Sequence, residues 1–393
     1  MLHAFIADGR LFIRQNDGSM HEINSKFVEE KAHAAHRQKD LHSWKTTAHG
    51  NQSMYFSPQV VWGQQAAGTT STQFVFTNVM IKDSNTLYYL ITNNSVTGLF
   101  KYQLDQDYEQ RLFHKNDFVA SGIDYCKKTD RLITALLKND ASVDLELLNA
   151  EGQYIETVTS GDSKDSNPSF SAQNHDEILY QSAGIARNDA GFVFAHGPES
   201  INKINIKTGK ITELLSEDRY DYLLPRQGTR GNLYCIRRPY QRFGSQSPLR
   251  LIWDIITFPI RFVIAIAGFL NAFTKLFDGR PPQALGPGVS PPTTEKHIRV
   301  LGQTIQLAKI QRAARYTREP SLVPGSWQLL RISKDGQKNV IANKVSYFDI
   351  DPEGSIHYTN GFRVRRLSEN NADTIFKYRI IENLKVAPPA PQT

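Results

Sequence analysis

The side chains able to do chemistry are spread along the chain, and none of them falls into a compact catalytic motif. Eight aspartates, Asp124, Asp162, Asp165, Asp176, Asp218, Asp221, Asp349 and Asp351, stand among turn-forming residues, where Asp is ordinary turn chemistry. His33 and His36 lie three apart in a helix-prone stretch, a spacing that lets two imidazoles share one metal ion. His42 and His49 follow, but no cysteine or carboxylate pair completes a tetrahedral set. The two cysteines, Cys126 and Cys235, are too few for a disulfide scaffold or a metal cluster, and neither has a sequence-neighbouring histidine that would make it a nucleophilic thiolate. G-x-S-x-G, a Gly-rich phosphate loop ending in Lys-Ser/Thr and H-E-x-x-H are all missing. The sequence thus assigns no catalytic residue, no metal and no cofactor. A site assembled from distant segments leaves no local spacing, so a hydrolase or lyase stays as an alternative.

The elements that would position these groups are read from composition and repeats. The 393 residues are 40% hydrophobic and 22% charged, enough apolar material for a core. The mean hydropathy of −0.43 excludes a polytopic membrane protein. Asp8 and Arg10 interrupt the first apolar run, so a secretory signal is not expected and the chain reads as cytoplasmic. The net charge of +7 is local: the segment 240–322 holds 11 basic and four acidic residues, and the rest of the chain is neutral. Such a basic segment attracts anionic lipid, nucleic acid or an acidic protein, while the neutral body disfavours a whole-surface nucleic-acid binder.

A hairpin layout recurs along the chain: an apolar strand, a Gly-centred turn, and an apolar residue five or six positions beyond the glycine. It appears as IRQNDGSMHEI (13–23), LLNAEGQYIETV (147–158), INIKTGKITEL (204–214) and LRISKDGQKNVI (330–341). The glycines supply the positive φ of a tight hairpin. YQLDQDYEQRL (102–112) and VRRLSENNADTI (364–375) are looser copies. Turn centres fall near 18, 106, 152, 209, 336 and 371. The first gap, 88, reads as two periods with one hidden copy, and the gap from 209 to 336 shrinks to 44 once the basic segment is removed. A period in the low forties is that of a four-stranded propeller blade.

The stretches before these turns are PSFSAQNHDEILYQS (168–182), YFDIDPEGSIHYT (347–359), GIDYCKKTDRLITALL (122–137) and YDYLLPRQGTRGNLYCIR (220–237). They resemble the inner hairpins of Tol-type propeller blades. The resemblance covers about 1–240 and 323–384, and it implies an all-β, β-propeller fold of about seven four-stranded blades, WD-repeat-like in layout but without the WD dipeptide. The C-terminal strand near 376–384 is expected to pair in the blade completed by residues 2–23, which closes the ring. A helix near 25–41, capped by Ser25, is expected between the first two blades.

The expected organisation is a propeller over 1–240 and 323–386, an inserted helical arm over 241–322, and a disordered tail over 387–393. Within the arm, LIWDIITFPIRFVIAIAGFLNAFTKLF (251–277) is the most apolar stretch of the chain. Asp254, Pro259 and Arg261 argue against a simple span, and a narrow polar stripe suits an amphipathic helix lying at a membrane interface. A Pro/Gly linker (280–292) and a basic helix (294–318) follow. The expected contact residues are Trp253, Ile256, Phe262, Ile266, Phe269 and Phe273 for apolar burial. Arg261, Lys275, Arg312, Arg315 and Arg318 are expected to meet anionic groups. The implied function is a non-catalytic scaffold held through this arm to protein partners or to an anionic membrane surface, peripheral at the inner face. Arm-mediated self-association is an alternative; nucleic acid is disfavoured, because it leaves the apolar helix without a role.

Overall fold

A computed structural model describes residues 1–34, 37, 74–93, 96–116, 118–241, 297–306, 310, 317, 319–367 and 372–387. These residues form strands almost throughout, with a helix over 26–34. The order begins with β1 (Leu2–Ala7), β2 (Arg10–Arg14) and β3 (Met20–Ile23), then β4 (Val75–Ile81), β5 (Thr86–Thr92), β6 (Val96–Gln103) and β7 (Tyr108–Asn116). Next come β8 (Val119–Cys126), β9 (Arg131–Leu137), β10 (Val143–Asn149) and β11 (Tyr154–Thr157), followed by β12 (Ser163–Phe170), β13 (Glu177–Arg187), β14 (Val193–His196), β15 (Ser200–Asn205) and β16 (Ile211–Leu215). β17 (Tyr220–Gln227), β18 (Leu233–Pro239), β19 (His297–Val300), β20 (Gln303–Gln306), β21 (Gln328–Ile332) and β22 (Lys338–Asn343) precede the last group. That group is β23 (Tyr347–Ile350), β24 (Ile356–Thr359), β25 (Arg363–Leu367), β26 (Ala372–Lys377) and β27 (Ile381–Ala387).

Pairing sorts all the described strands except β14, β19 and β20 into six antiparallel meanders of four. They are β27-β1-β2-β3, β4 to β7, β8 to β11, β12-β13-β15-β16, β17-β18-β21-β22 and β23 to β26. The third and fourth are joined into one nine-stranded sheet by a single parallel pair, Val143 opposite Lys164. The innermost strands neighbour one another in the cycle β27, β4, β8, β12, β17, β23 and back to β27. A closed ring of four-stranded meanders is a propeller, and closure removes the sheet edges around the axis. Each expected turn centre proves to be the third-to-fourth strand turn of one meander, so the six copies correspond to six blades rather than about seven. The gap of 88 holds no further blade among the described residues: residues 24–74 connect β3 to β4, whose meanders are already neighbours.

Alternation along each strand puts apolar side chains on both faces, because each meander is packed between two others. The core is accordingly a series of clusters between neighbouring blades. Tyr89, Phe100 and Ile13 join the first and second, and Leu145, Ile133, Tyr180 and Ile204 join the third and fourth. Phe5, Phe348, Trp327, Leu329 and Leu384 join the fifth, sixth and first. As expected from the sequence, the C-terminal strand closes the ring, with β27 antiparallel to β1 from Leu2 opposite Ala387 to Ala7 opposite Ile381.

Two expectations are corrected here. Residues 297–306, placed in the basic helix 294–318, form the β19–β20 hairpin. Leu301 and Gly302 both have positive φ (46° and 81°), the two-residue turn that matches strand twist and that a helix cannot contain. Val300, Leu301 and Ile305 pack on the core, and Arg238 Nη1 donates to the Leu301 carbonyl at 3.0 Å. Residues 319–322, also expected in the arm, belong to the propeller: Leu322 is buried and its amide donates to the Asn360 carbonyl at 2.9 Å, and Glu319 pairs with Arg363 and Arg365. The helix near 25–41 is present over 26–34. The Val28 amide donates to Ser25 Oγ at 3.4 Å, and Glu109 of β7 accepts from both Ser25 Oγ and the Phe27 amide.

Candidate functional site

Strand order gives the ring two unlike faces. Within each blade the strands alternate in direction, so first-to-second and third-to-fourth turns share one face. Second-to-third connections and the crossings between blades share the other. The chain ends come together at the first face, since Leu2 stands opposite Ala387. There the strand bounds leave only four to six residues for every turn. The opposite face carries three long excursions, at 24–74, 185–199 and 240–327.

The axis of the ring is filled near its terminal face by four charged side chains from four inner strands. Lys385 Nζ of β27 lies 3.6 Å from Asp124 Oδ1 of β8 and 3.6 Å from Asp349 Oδ1 of β23. Arg226 Nε of β17 lies 3.8 Å from Asp349 Oδ1. β27 and β8 are not neighbours in the ring, so a contact between them is made only at its centre. All four residues are buried. Backbone amides complete the carboxylates: Phe170 N donates to Asp124 Oδ2 at 2.8 Å and Val386 N to Asp349 Oδ2 at 3.0 Å. Burial opposes the Arg226 charge, but Asp124, Tyr347 and Asp349 more than offset it and raise its pKa above the ordinary value. Two acids thus face two cations, and the buried cluster is balanced in formal charge.

Strand bulges aim these groups. β8, β12 and β17 each shift register against their neighbour, at Gly122, Asn167 and Leu224, and all three have positive φ (72°, 49° and 52°). Two residues beyond each bulge stand Asp124, Ser169 and Arg226. Ser169 Oγ donates to the Pro225 carbonyl at 2.7 Å, stitching the fourth blade to the fifth. Asp124, Asp165, Asp221 and Asp349, read from sequence as turn residues, are instead buried within strands. Cys126, read as lacking a histidine, has its Sγ 3.6 Å from His175 Nδ1, which the neighbouring blade's turn supplies. Cys235 lies wholly in the core, where burial pushes its thiol up to about 12.

The opposite face is built to project. β13 runs past its blade and pairs with β14, from Ile185 opposite His196 to Arg187 opposite Val193. Arg187, in the last pair before the hairpin's turn, ties it to the third and fourth blades, with Nε donating to Asp162 Oδ1 at 2.7 Å and Nη1 to the Asp140 carbonyl at 2.7 Å. Phe192, at the end of the hairpin's turn, and Phe194 of β14 are 71% and 55% exposed. Tyr240, at the start of the 240–327 excursion, donates its hydroxyl to the His196 carbonyl at 2.5 Å. Between the first two blades a cleft of about 330 Å³ is lined by Gly9, Arg10, Ser25, Glu29 and Phe74.

The expected contact residues Trp253, Ile256, Arg261, Phe262, Ile266, Phe269, Phe273, Lys275, Arg312, Arg315 and Arg318 lie outside the described residues, as do His36, His42 and His49. Among the described residues there is no cluster of three or more His, Cys, Asp or Glu side chains that could hold a metal ion. No helix there is long and apolar enough to cross a membrane.

No protein-family model matches this chain, and no curated protein sequence matches it. Solved structures do. A structure of the nidogen/laminin complex matches with a TM-score of 0.50 at 5% identity, over 98% of this chain and 97% of that one. TolB from Acinetobacter baumannii matches with a TM-score of 0.49 at 8% identity, over 98% of this chain, which spans 65% of the length of that TolB. The tricorn protease matches with a TM-score of 0.45 at 9% identity, over 95% of this chain and 33% of its own length. At such identities the likeness is one of fold, and the nidogen/laminin match, spanning nearly all of both chains, agrees with the β-propeller read from the strand order.

Proposed function

We propose that this chain is a non-catalytic β-propeller scaffold, attached through the parts of the 241–318 insertion outside the β19–β20 hairpin to an anionic membrane surface or to a protein complex on the cytoplasmic side. The observation that carries the reading is the asymmetry of the faces: the three long excursions leave from one of them, and the other has only tight turns. Binding residues are disproportionately found on loops positioned by a rigid scaffold. The exposed Phe192 and Phe194 stand on that face, beside the root of the basic segment. Apolar area and positive charge together favour interfacial binding, with Trp253, Ile256, Phe262, Ile266, Phe269 and Phe273 supplying the first. Arg261, Lys275, Arg312, Arg315 and Arg318 supply the second. The buried, charge-balanced axial acids lend no support to the hydrolase or lyase alternative. The nidogen/laminin structure is itself that of a protein complex, which is in keeping with a protein partner.

Flotation tests this reading. The intact chain and a variant in which residues 243–296 are replaced by a short Gly/Ser linker are mixed with phosphatidylcholine vesicles, with and without phosphatidylserine. The linker variant keeps the β19–β20 hairpin and residues 319–323, which the propeller needs. The intact chain is expected to float with the anionic vesicles and the variant to stay behind. Equal flotation of both proteins contradicts attachment through this segment.

A further inference from the structure

The interface between the first and sixth blades, beside the β27–β1 pairing that closes the ring, holds three buried titratable side chains in a line. His3 of β1 lies in the first blade, and His357 of β24 and Asp351 in the sixth. His3 Nε2 is 3.2 Å from His357 Nδ1, and His357 Nε2 is 3.3 Å from Asp351 Oδ2. The residues are 2%, 0% and 2% exposed. Phe376 meets the His3 ring edge-on at 5.6 Å, and His3 Nδ1 is buried with no hydrogen-bond partner.

The proton positions follow from the partners. With Asp351 ionised, His357 donates from Nε2 and accepts at Nδ1. His3 then donates from Nε2, and its Nδ1 is a bare acceptor. An added proton has two places to go. On His3 Nδ1 it makes an imidazolium whose new N–H faces no acceptor. On His357 Nδ1 it forces His3 into the other tautomer, which again leaves a His3 Nδ1–H unpaired. Both outcomes bury an unsatisfied donor next to an aromatic ring.

We propose that the His3–His357–Asp351 chain is an acid-sensitive latch that holds the first blade against the sixth while both imidazoles are neutral and releases the seam on protonation. The charged groups around it are Arg14 of β2, the Met1 amino group, Arg366 of β25, and the carboxylates of Asp349, Asp351 and Glu353. Burial is the largest influence on both rings. It holds His3 down to about 3, helped by His357, Arg14 and the amino terminus. His357 is also lowered, although Asp351 pulls it upward. The sign is that of a neutral buried histidine. The open seam takes up protons below the ordinary histidine pKa of about 6.5, so closure is fully favoured above that pH and weakens as pH falls toward 3.

Hydrogen–deuterium exchange on the full chain tests the latch, with rates corrected for the intrinsic pH dependence of exchange. From about pH 7.5 to about 5.5, opening at β1 and β24 is expected to rise roughly tenfold for each histidine that titrates, while β9 and β10 on the far side of the ring stay unchanged. His3→Phe, which fills the site without a titratable group, is expected to cut that rise by about tenfold. Should His3→Phe not fold, His357→Asn serves in its place with the same expectation. An equal rise in β9 and β10, no rise at the seam, or a full rise in the folded variant overturns the proposal.

Discussion

The two faces of the ring share the same strands and differ in everything attached to them. The terminal face gathers the tight turns, the chain ends, the His3–His357 seam and, in the axis beneath it, the Asp124–Lys385–Asp349–Arg226 cluster. These features lock blades to one another. The excursion face gathers the projecting β13–β14 hairpin and the root of the basic segment, together with Phe192 and Phe194. The lesson is a division of labour along the axis: rigidity is concentrated where nothing reaches out, and chain length is added where the strands are already held from below. A scaffold of this kind tolerates change on one face far better than on the other.

Substitutions sharpen that contrast, and the largest effect is expected in the axis. Asp349→Ala leaves Lys385 and Arg226 short of a counter-charge and the Val386 amide without its acceptor. Urea denaturation is expected to report a loss of about 3–5 kcal/mol. Gly361→Ala comes next. Gly361 has φ of +93°, and a Cβ there would stand 2.2 Å from the Leu322 side chain, where the returning chain seats on the sixth blade. The strained backbone and the collision together are expected to cost about 3 kcal/mol in the same measurement. Gly336→Ala separates the two causes, because Gly336 has φ of +84° in a terminal-face turn with open space around it. Its expected cost is only about 1 kcal/mol. The double substitution Phe192→Ser with Phe194→Ser is expected to change stability by less than about 0.5 kcal/mol, since both rings are exposed. A large loss there would show that the hairpin belongs to the core after all.

Much of the architecture was legible because its signals are local. The six turn centres near 18, 106, 152, 209, 336 and 371 mark one blade each, and the closure of the ring by the C-terminal strand followed from where the repeats begin and end. The 88-residue gap suggests two periods, whereas among the described residues it holds one period and the β3-to-β4 connection, so six blades are found there where about seven are expected. The segment 297–306 suggests a helix because Ile298, Leu301, Ile305 and Ala308 recur at helical spacing; the contrary signal is Leu301-Gly302 after the β-branched Val300. The axial cluster was not legible at all. Asp124, Arg226, Asp349 and Lys385 are separated by 36 to 123 residues and have no common spacing. Only ring closure brings them together. The His3–His357 pair, 354 residues apart, was hidden for the same reason.

The central claim is that the excursion face is the working face. The most direct measurement is a hydrogen-exchange footprint of the full chain with and without phosphatidylserine-containing vesicles. The account predicts protection at 138–142, 185–199 and 297–306, with the terminal-face turns at 15–19, 150–153, 206–210 and 333–337 unchanged. Protection at those terminal-face turns, or no protection on the excursion face, would contradict it.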